Sequence, residues 1–425
     1  MSSTEGDAMS NRILRTIKKI IENDQNIVEF DIIPTPYNLK NKSPVVYEDH
    51  SIGLESWCIK HIYNYACSNL FEYYDQLKKG KLSYMKMGEF NDLLIGALLI
   101  NPHVTTFWNM KRELIERELL NVDDELYFSK IVISHKAKVS DAFAYRRWLL
   151  QRIINKMCSM NIEVPYTLLQ NEFSVIHMAS QKSPNNYHSW NHRIWCIENL
   201  APKRQLQQIV YSELSYTQEW INNHISEHVG YHYRQYLITL TKKDNSISSV
   251  YGSFLDFVSS EFLSSPKSNG PIVAPAEVLQ YLLGVPSEQL PPEEIANYTN
   301  YMCLMLYDLC ILVDKLNPLF PEHEALYYHR RFLMYHLLNL PLNIHQAHQI
   351  SDNANSGTKN SVVSIGSDMR ANKWSKLFKV SSNRYEGYAL CDLVLHCDKK
   401  FLAQSGGSRE AERYRKWLSN VMGLK

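Results

Sequence analysis

The sequence predicts an all-α protein, an α-solenoid of antiparallel helix pairs with at least five repeats. Three observations carry this. A ring, a cation three residues on and then a second ring recur along the chain; the first rings fall at repeat-like spacing; and glycine is scarce, 15 in 425 residues, about half its average share. The clearest copy is Trp190-Asn191-His192-Arg193-Ile194-Trp195. Four others align with it: Trp108 with Lys111, Phe143 with Arg146 and Trp148, Tyr231 with Arg234 and Tyr236, and Tyr327 with Arg330 and Phe332. First rings at 108, 143, 190 and 231 give steps of 35, 47 and 41 residues, within the ~34 to ~47 of helical repeats. A unit of this size cannot bury its apolar face alone and must stack on its neighbours.

Each motif reads as the inner helix of a pair. At about 100° per residue, Trp190, Arg193, Ile194 and Ile197 share one face and Trp195 points well round from them, so two sides are buried. An arginine beside a tryptophan can lay its guanidinium on the ring and donate to carbonyls of the adjoining turn. The Arg column is therefore expected to be structural.

In chain order, Asn11 to Asn26 reads as a short amphipathic helix, and Pro34, Pro36 and Pro44 then break regular structure. Helical text resumes from Leu54 to about Leu77, with Trp57, Ile59, Ile62, Tyr63 and Ala66 as its apolar stripe. Residues 1–85 thus form an N-terminal segment with capping helices, and 86–242 hold repeats one to four. Gly88 to Ile100 and Thr105 to Leu119 pair around Asn101-Pro102. Ser129 to His135 belongs to the second outer helix, and Ser140-Asp141 caps the inner helix Ala142 to Cys158. Tyr166 to Ser180 with Tyr187 to Leu200, then Lys203 to Asn223 with Ser226 to Thr241, complete the four. The next first ring, Tyr327, comes 96 residues after Tyr231. Residues 243–300, with their Pro and Ser, are expected to be a flexible insertion, 301–348 the fifth repeat, 349–384 a second flexible insertion, and 385–425 C-terminal capping helices.

Composition excludes several classes. Forty-five basic and 44 acidic side chains leave a net charge of +1, so no basic field for nucleic acid exists. Eight cysteines without a CxxC read as reduced thiols of a cytoplasmic protein. No apolar run approaches ~18 residues, so membrane insertion is not expected, and no signal-peptide core or lipidation motif is expected at the ends. His224, His228 and His232 are spaced as metal ligands. However, His232 lies within a repeat and no carboxylate or thiolate is evident nearby, so no metal is assigned. No Gly-rich phosphate loop, GxSxG or HExxH is present.

The five units resemble the PxNYxxWxxR repeats of protein prenyltransferase alpha subunits, most closely at Asn186-Tyr187-His188-Ser189-Trp190-Asn191-His192-Arg193, with the likeness running over about residues 54 to 345. The resemblance implies a right-handed superhelical crescent wrapped around a separate beta subunit. That subunit, with the Rab-type favoured, would hold zinc and the isoprenoid pocket; this chain would bind no cofactor itself. Zinc there activates the C-terminal cysteine of a protein substrate toward an isoprenoid diphosphate. The alpha subunit adds rim donors that meet charge growing on the departing diphosphate.

By this resemblance Lys138, five residues before Phe143, is one such donor. Asn186, Tyr187 and His188 match the substrate-binding Asn-Tyr-His of the third repeat, with Tyr187 and His188 also in the catalytic set. The second repeat departs: Val139-Ser140 replaces the usual Asn-Tyr, and Phe143 replaces Trp, so one tyrosine hydroxyl near the diphosphate is lost. Geranylgeranyl transfer to a membrane-traffic protein such as a Rab GTPase or SNARE is the favoured reading. The alternative is a non-catalytic repeat scaffold that binds another protein.

Overall fold

The computed structural model describes residues 3–36, 41, 43–263, 274–286, 290–355 and 385–424. The chain divides into two units, Met1–Pro202 and Lys203–Lys425. Each is a stack of antiparallel helix pairs.

The first unit opens with α1 (Ser3–Asn23), whose Ile13, Leu14, Ile17 and Ile21 are buried at helical spacing. A small sheet follows, of β1 (Glu29–Ile33), β2 (Val45–Glu48) and β3 (Ser51–Glu55), in the order β1-β3-β2. β1 runs parallel to β3 and β2 antiparallel to it. The proline-broken reading missed this sheet because its strands have only four or five residues. A two-residue turn at Asp49 and His50, with φ of 46° and 62°, closes the β2–β3 hairpin without the glycine that usually signals such turns.

Helix pairs then run α2 (Ile59–Lys78), α3 (Tyr84–Ile100), α4 (Thr105–Glu116), α5 (Val122–His135), α6 (Ser140–Ser159), α7 (Tyr166–Lys182) and α8 (Tyr187–Leu200). α3/α4, α5/α6 and α7/α8 are repeats one to three, with α4, α6 and α8 inner. The sheet is fixed to repeat two: Phe30 N–H donates to Ser134 Oγ at 3.2 Å, and Ile27 N–H to the Tyr127 hydroxyl at 2.8 Å.

The second unit contains α9 (Leu206–Asn223) and α10 (His228–Lys243), the fourth pair, and then α11 (Gly252–Phe262), α12 (Pro275–Leu283) and α13 (Pro292–Tyr307). A π turn (Asp308–Val313) and α14 (Asp314–Leu316) continue α13. The inner helix α15 (Glu324–Asn355) completes the fifth pair, and α16 (Ala389–Gln404) and α17 (Arg409–Trp417) form another.

Within 243–300, the described residues 243–263, 274–286 and 290–300 are thus not the flexible excursion expected from their composition. α11 and α12 pack on and beside α13, burying Val258, Val278, Leu279, Leu282 and Leu283. Pro275 and Pro292 mark helix starts, standing in first turns, where the missing N–H costs nothing. The second expected insertion, 349–384, lies outside the described residues from 356 onward.

Candidate functional site

Four of the five motif cations are anchored on carboxylates. Arg146 on α6 gives Nε and Nη2 to the two Glu172 oxygens at 2.6 and 2.7 Å. Its Nη1 donates to Leu126 O at 2.6 Å and Ser129 Oγ at 3.0 Å. Arg234 on α10 repeats this: Nε and Nη2 grip Asp308 at 2.7 and 2.6 Å, and Nη1 donates to Leu214 O and Thr217 Oγ1 at 2.6 and 2.9 Å. Lys111 reaches Glu125 at 2.6 Å, and Arg330 binds Asp314 and Asp398. Glu125, Glu172, Asp308 and Asp398 each belong to the helix pair after the cation's own, whereas Asp314 belongs to the same pair as Arg330.

In four of the five repeats the residue two places after the first ring also bonds an acid. Tyr145 donates to Glu125 at 2.9 Å, His192 Nε2 lies 2.9 Å from Glu172, Tyr233 donates to Glu213 at 2.7 Å, and His329 Nε2 lies 2.9 Å from Asp308. The same residue stacks on the second ring of its motif: Tyr145 on Trp148, His192 on Trp195, Tyr233 on Tyr236 and His329 on Phe332. In α17, Tyr414 donates to Asp398 at 2.7 Å and stacks on Trp417. The last pair is therefore a sixth, degenerate repeat whose first-ring position is Glu412, which hid it in the sequence.

Carbonyl bonds were anticipated for the Arg column; the acid column was not. Its signal was present, since Glu125, Glu172 and Glu213 each stand 20 residues before the polar ring they bind. Ring contacts are kept where Lys111 lies over Phe128, Arg193 over Phe173 and Arg330 over Phe401, at 4.5, 4.1 and 3.6 Å. Of the first rings, Trp108, Trp190, Phe143, Tyr231 and Tyr327 are all buried. Trp195 is half-exposed.

Glu172, His192 and Cys196 are the only group with metal-like convergence among the described residues, their ligand atoms all lying within 4.8 Å of one another. The oxygen that would coordinate a cation already accepts from both Arg146 and His192, so the cluster is a hydrogen-bond network. The three spaced histidines do not converge: His224 bonds Trp220 O and stacks on that indole, and His228 meets Tyr328 edge-on.

These anchors predict acid sensitivity. Burial raises the Glu172 carboxyl, but the Arg146 charge and hydrogen bonds from His192 and Arg146 outweigh it and hold the pKa at about 2. Burial likewise opposes, and Arg234 and His329 produce, a lowered Asp308. Burial keeps His192 and His329 below the usual 6.5. Below pH 6.5 the unfolded histidines take up protons that the folded ones refuse, and below about 4.5 the unfolded carboxyls do the same. Both contributions remove stability as pH falls. Melting temperature should drop from pH 7 to pH 4 and more steeply below; a flat profile contradicts this.

Asn186, Tyr187, His188 and Lys138 sit where α5 turns into α6 and α7 into α8. Asn186 caps α8, its Oδ1 accepting from Ser189 N at 3.3 Å. Its Nδ2 donates to Ala137 O at 2.6 Å and Ala179 O at 3.3 Å. Fully buried with its amide committed, Asn186 cannot contact substrate, which corrects the expectation from the motif. It ties the α8 start to the residue before Lys138. Asn186→Ala should cost about 1–3 kcal/mol, the range for orphaned buried polar partners, read as a lower denaturant midpoint. A change below about 0.5 kcal/mol contradicts that role.

Tyr187 is 60% exposed, His188 half-exposed and Lys138 exposed. Asp31, His103, Lys136, Lys182 and Ser183 line with Lys138 a cavity of about 380 Å³. Tyr187 and His188 are not part of that lining. Lys182 is bound to Glu29 at 2.6 Å and to Ser134 O at 3.0 Å, whereas no ion pair is found for Lys138 among the described residues. Burial lowers the His188 base, the nearby Arg147 charge lowers it further, and Asp141 opposes them.

The open side of the inner helices continues this surface. Four- and three-residue steps from the helix starts bring up Thr105, Asn109 and Arg112 on α4, Ser140, Ala144 and Arg147 on α6, and Tyr187, Asn191 and Ile194 on α8, all exposed or half-exposed. Arg112 is engaged by Asn109 Oδ1 at 2.8 Å, so the part of the face near Lys138, Tyr187 and His188 is the one that offers a cation, an imidazole and a phenol. It suits recognition of an anion, and the Thr105 and Ser140 hydroxyls on the same face donate to Asp141 at 2.8 and 3.4 Å.

Residues 169–200, spanning most of α7 and all of α8, match the family model for the protein prenyltransferase alpha subunit repeat. The chain is 29% identical to protein prenyltransferase alpha subunit repeat-containing protein 1 of Homo sapiens over 374 residues, 84% of this chain and 85% of that protein. It is also 29% identical to the Danio rerio protein of that name, over 79% of this chain and 74% of the relative. A shorter likeness, 25% over 158 residues, joins it to the geranylgeranyl transferase type-2 subunit alpha of Candida albicans, covering 33% of this chain and 40% of that one. No helix among the described residues is long and apolar enough to cross a membrane.

Proposed function

We propose, on the premise that this chain belongs to the protein prenyltransferase alpha subunit repeat family, that it is the alpha-type subunit of a heterodimeric protein geranylgeranyltransferase. The observation that supports this most is the conjunction of Lys138, Tyr187 and His188 at two turns tied together by Asn186. The partner is a beta subunit, with the Rab-type favoured, that supplies zinc and the lipid pocket. The substrate is a protein with a C-terminal cysteine, such as a Rab GTPase or SNARE.

Within this reading the chain's share is electrostatic. Zinc on the beta subunit activates the acceptor thiol, and Lys138 meets the negative charge that builds on the departing diphosphate. The Tyr187 hydroxyl can donate to the same oxygens. His188, kept neutral by burial and by Arg147, can donate one ring N–H without becoming a competing cation. The test is a transfer assay of the reconstituted pair with geranylgeranyl and farnesyl diphosphates. Zinc-dependent transfer that prefers the geranylgeranyl donor is expected; a preference for farnesyl corrects the lipid, and no transfer by any beta pairing favours the non-catalytic scaffold.

A further inference from the structure

We infer that Arg147 is an anion-binding residue on the open face of α6, and that its ligand is the diphosphate of the site proposed above. This rests on that functional reading. Three of the repeats carry two consecutive cations: Lys111-Arg112, Arg146-Arg147 and Arg330-Arg331. The first of each pair enters the acid column. The second cannot follow, because adjacent residues diverge by about 100° around a helix, and it projects onto the open face.

Arg112 and Arg147 occupy equivalent places but differ in what holds them. Arg112 donates to Asn109 Oδ1 at 2.8 Å and lies 5.8 Å from the Trp148 ring centre and 6.0 Å from that of Tyr145. Arg147 is half-buried, yet among the described residues it has no carboxylate, carbonyl or ring partner. A guanidinium partly withdrawn from water without a counter-charge is costly, and burial depresses its proton affinity. Such a group is paired when an anion arrives.

Its position says which anion. Side chains on a helix lean toward its N-terminus, which for Arg147 is the Ser140 end of α6. α6 and α8 pack side by side there, with the Phe143 and His192 rings 5.5 Å apart. The influence of Arg147 on the His188 base places the two groups in one electrostatic neighbourhood. Asp141, the acid of that neighbourhood, is held by Thr105 Oγ1 at 2.8 Å. Two cations, one of them a planar fork, with neutral tyrosine and histidine donors suit a diphosphate, whose oxygens take guanidinium donors in pairs.

The experiment is calorimetric titration of the full chain with inorganic pyrophosphate, wild type against Arg147→Gln, with Arg112→Gln as the control in the equivalent place. Wild type is expected to bind in a salt-sensitive manner, Arg147→Gln about tenfold or more weakly, and Arg112→Gln within about twofold of wild type. Arg147→Gln should melt no lower than wild type, because an unpaired guanidinium is being removed. No binding by wild type at millimolar pyrophosphate, or equal binding by Arg147→Gln, overturns the assignment. So does an Arg147→Gln variant that binds pyrophosphate normally but loses its beta subunit, since a partner carboxylate would then be the anion. Pyrophosphate binding that depends on Arg147, with no beta pairing giving transfer, keeps the anion site and discards the prenyltransferase reading. Unchanged binding and unchanged transfer discard Arg147 and keep the reading.

Discussion

Asp308→Ala should destabilise the second unit by about 3–5 kcal/mol, the cost of removing one partner from a buried ion pair. Asp308 is fully buried, takes both forks of Arg234 and also accepts from His329. Its loss strands a guanidinium with no exposure at all and leaves an imidazole without its acceptor. Urea unfolding followed by tryptophan fluorescence reads the effect as a lower midpoint. Replacing the pair together, Asp308→Leu with Arg234→Met, should recover much of the loss, because the penalty comes from the unpaired charge. A single variant within about 1 kcal/mol of wild type would contradict the account of the acid column.

Lys138→Ala in the active heterodimer should lower the rate of transfer about tenfold or more, about 1.4 kcal/mol of transition-state stabilisation, without loosening the dimer. Lys138 is exposed at a turn, so its removal leaves no cavity and no orphaned partner. A structural explanation of the lost rate is thereby excluded in advance. The effect should fall on turnover more than on KM for the diphosphate, since the interaction strengthens as the leaving group gains charge. A neutral result in a saturated, active pair would return Lys138 to the status of a solvated lysine.

The inner helices were legible because each repeats a ring at one position and a cation three residues on, and both needs are local to one helix. The acid column is not local: Glu172 and Asp308 answer a cation in the preceding pair, 26 and 74 residues away. No short-range pattern records such a partner. The segment 243–300 was misjudged for a related reason. Pro275 and Pro292 read as breakers, yet at first-turn positions they start helices whose burial depends on α13. The hairpin at Asp49-His50 lacked its glycine. The motif register named Lys138, Tyr187 and His188, and it grouped Asn186 with them although that side chain is fully buried. Arg147 has no place in that register, which counts only the cation three residues after the first ring, here Arg146.

Co-purification with prenyltransferase beta subunits decides whether this chain is a subunit. A stoichiometric complex that survives size exclusion at micromolar concentration is the predicted result. A well-folded chain that binds no beta subunit at that concentration would contradict the claim and leave a helical-repeat scaffold.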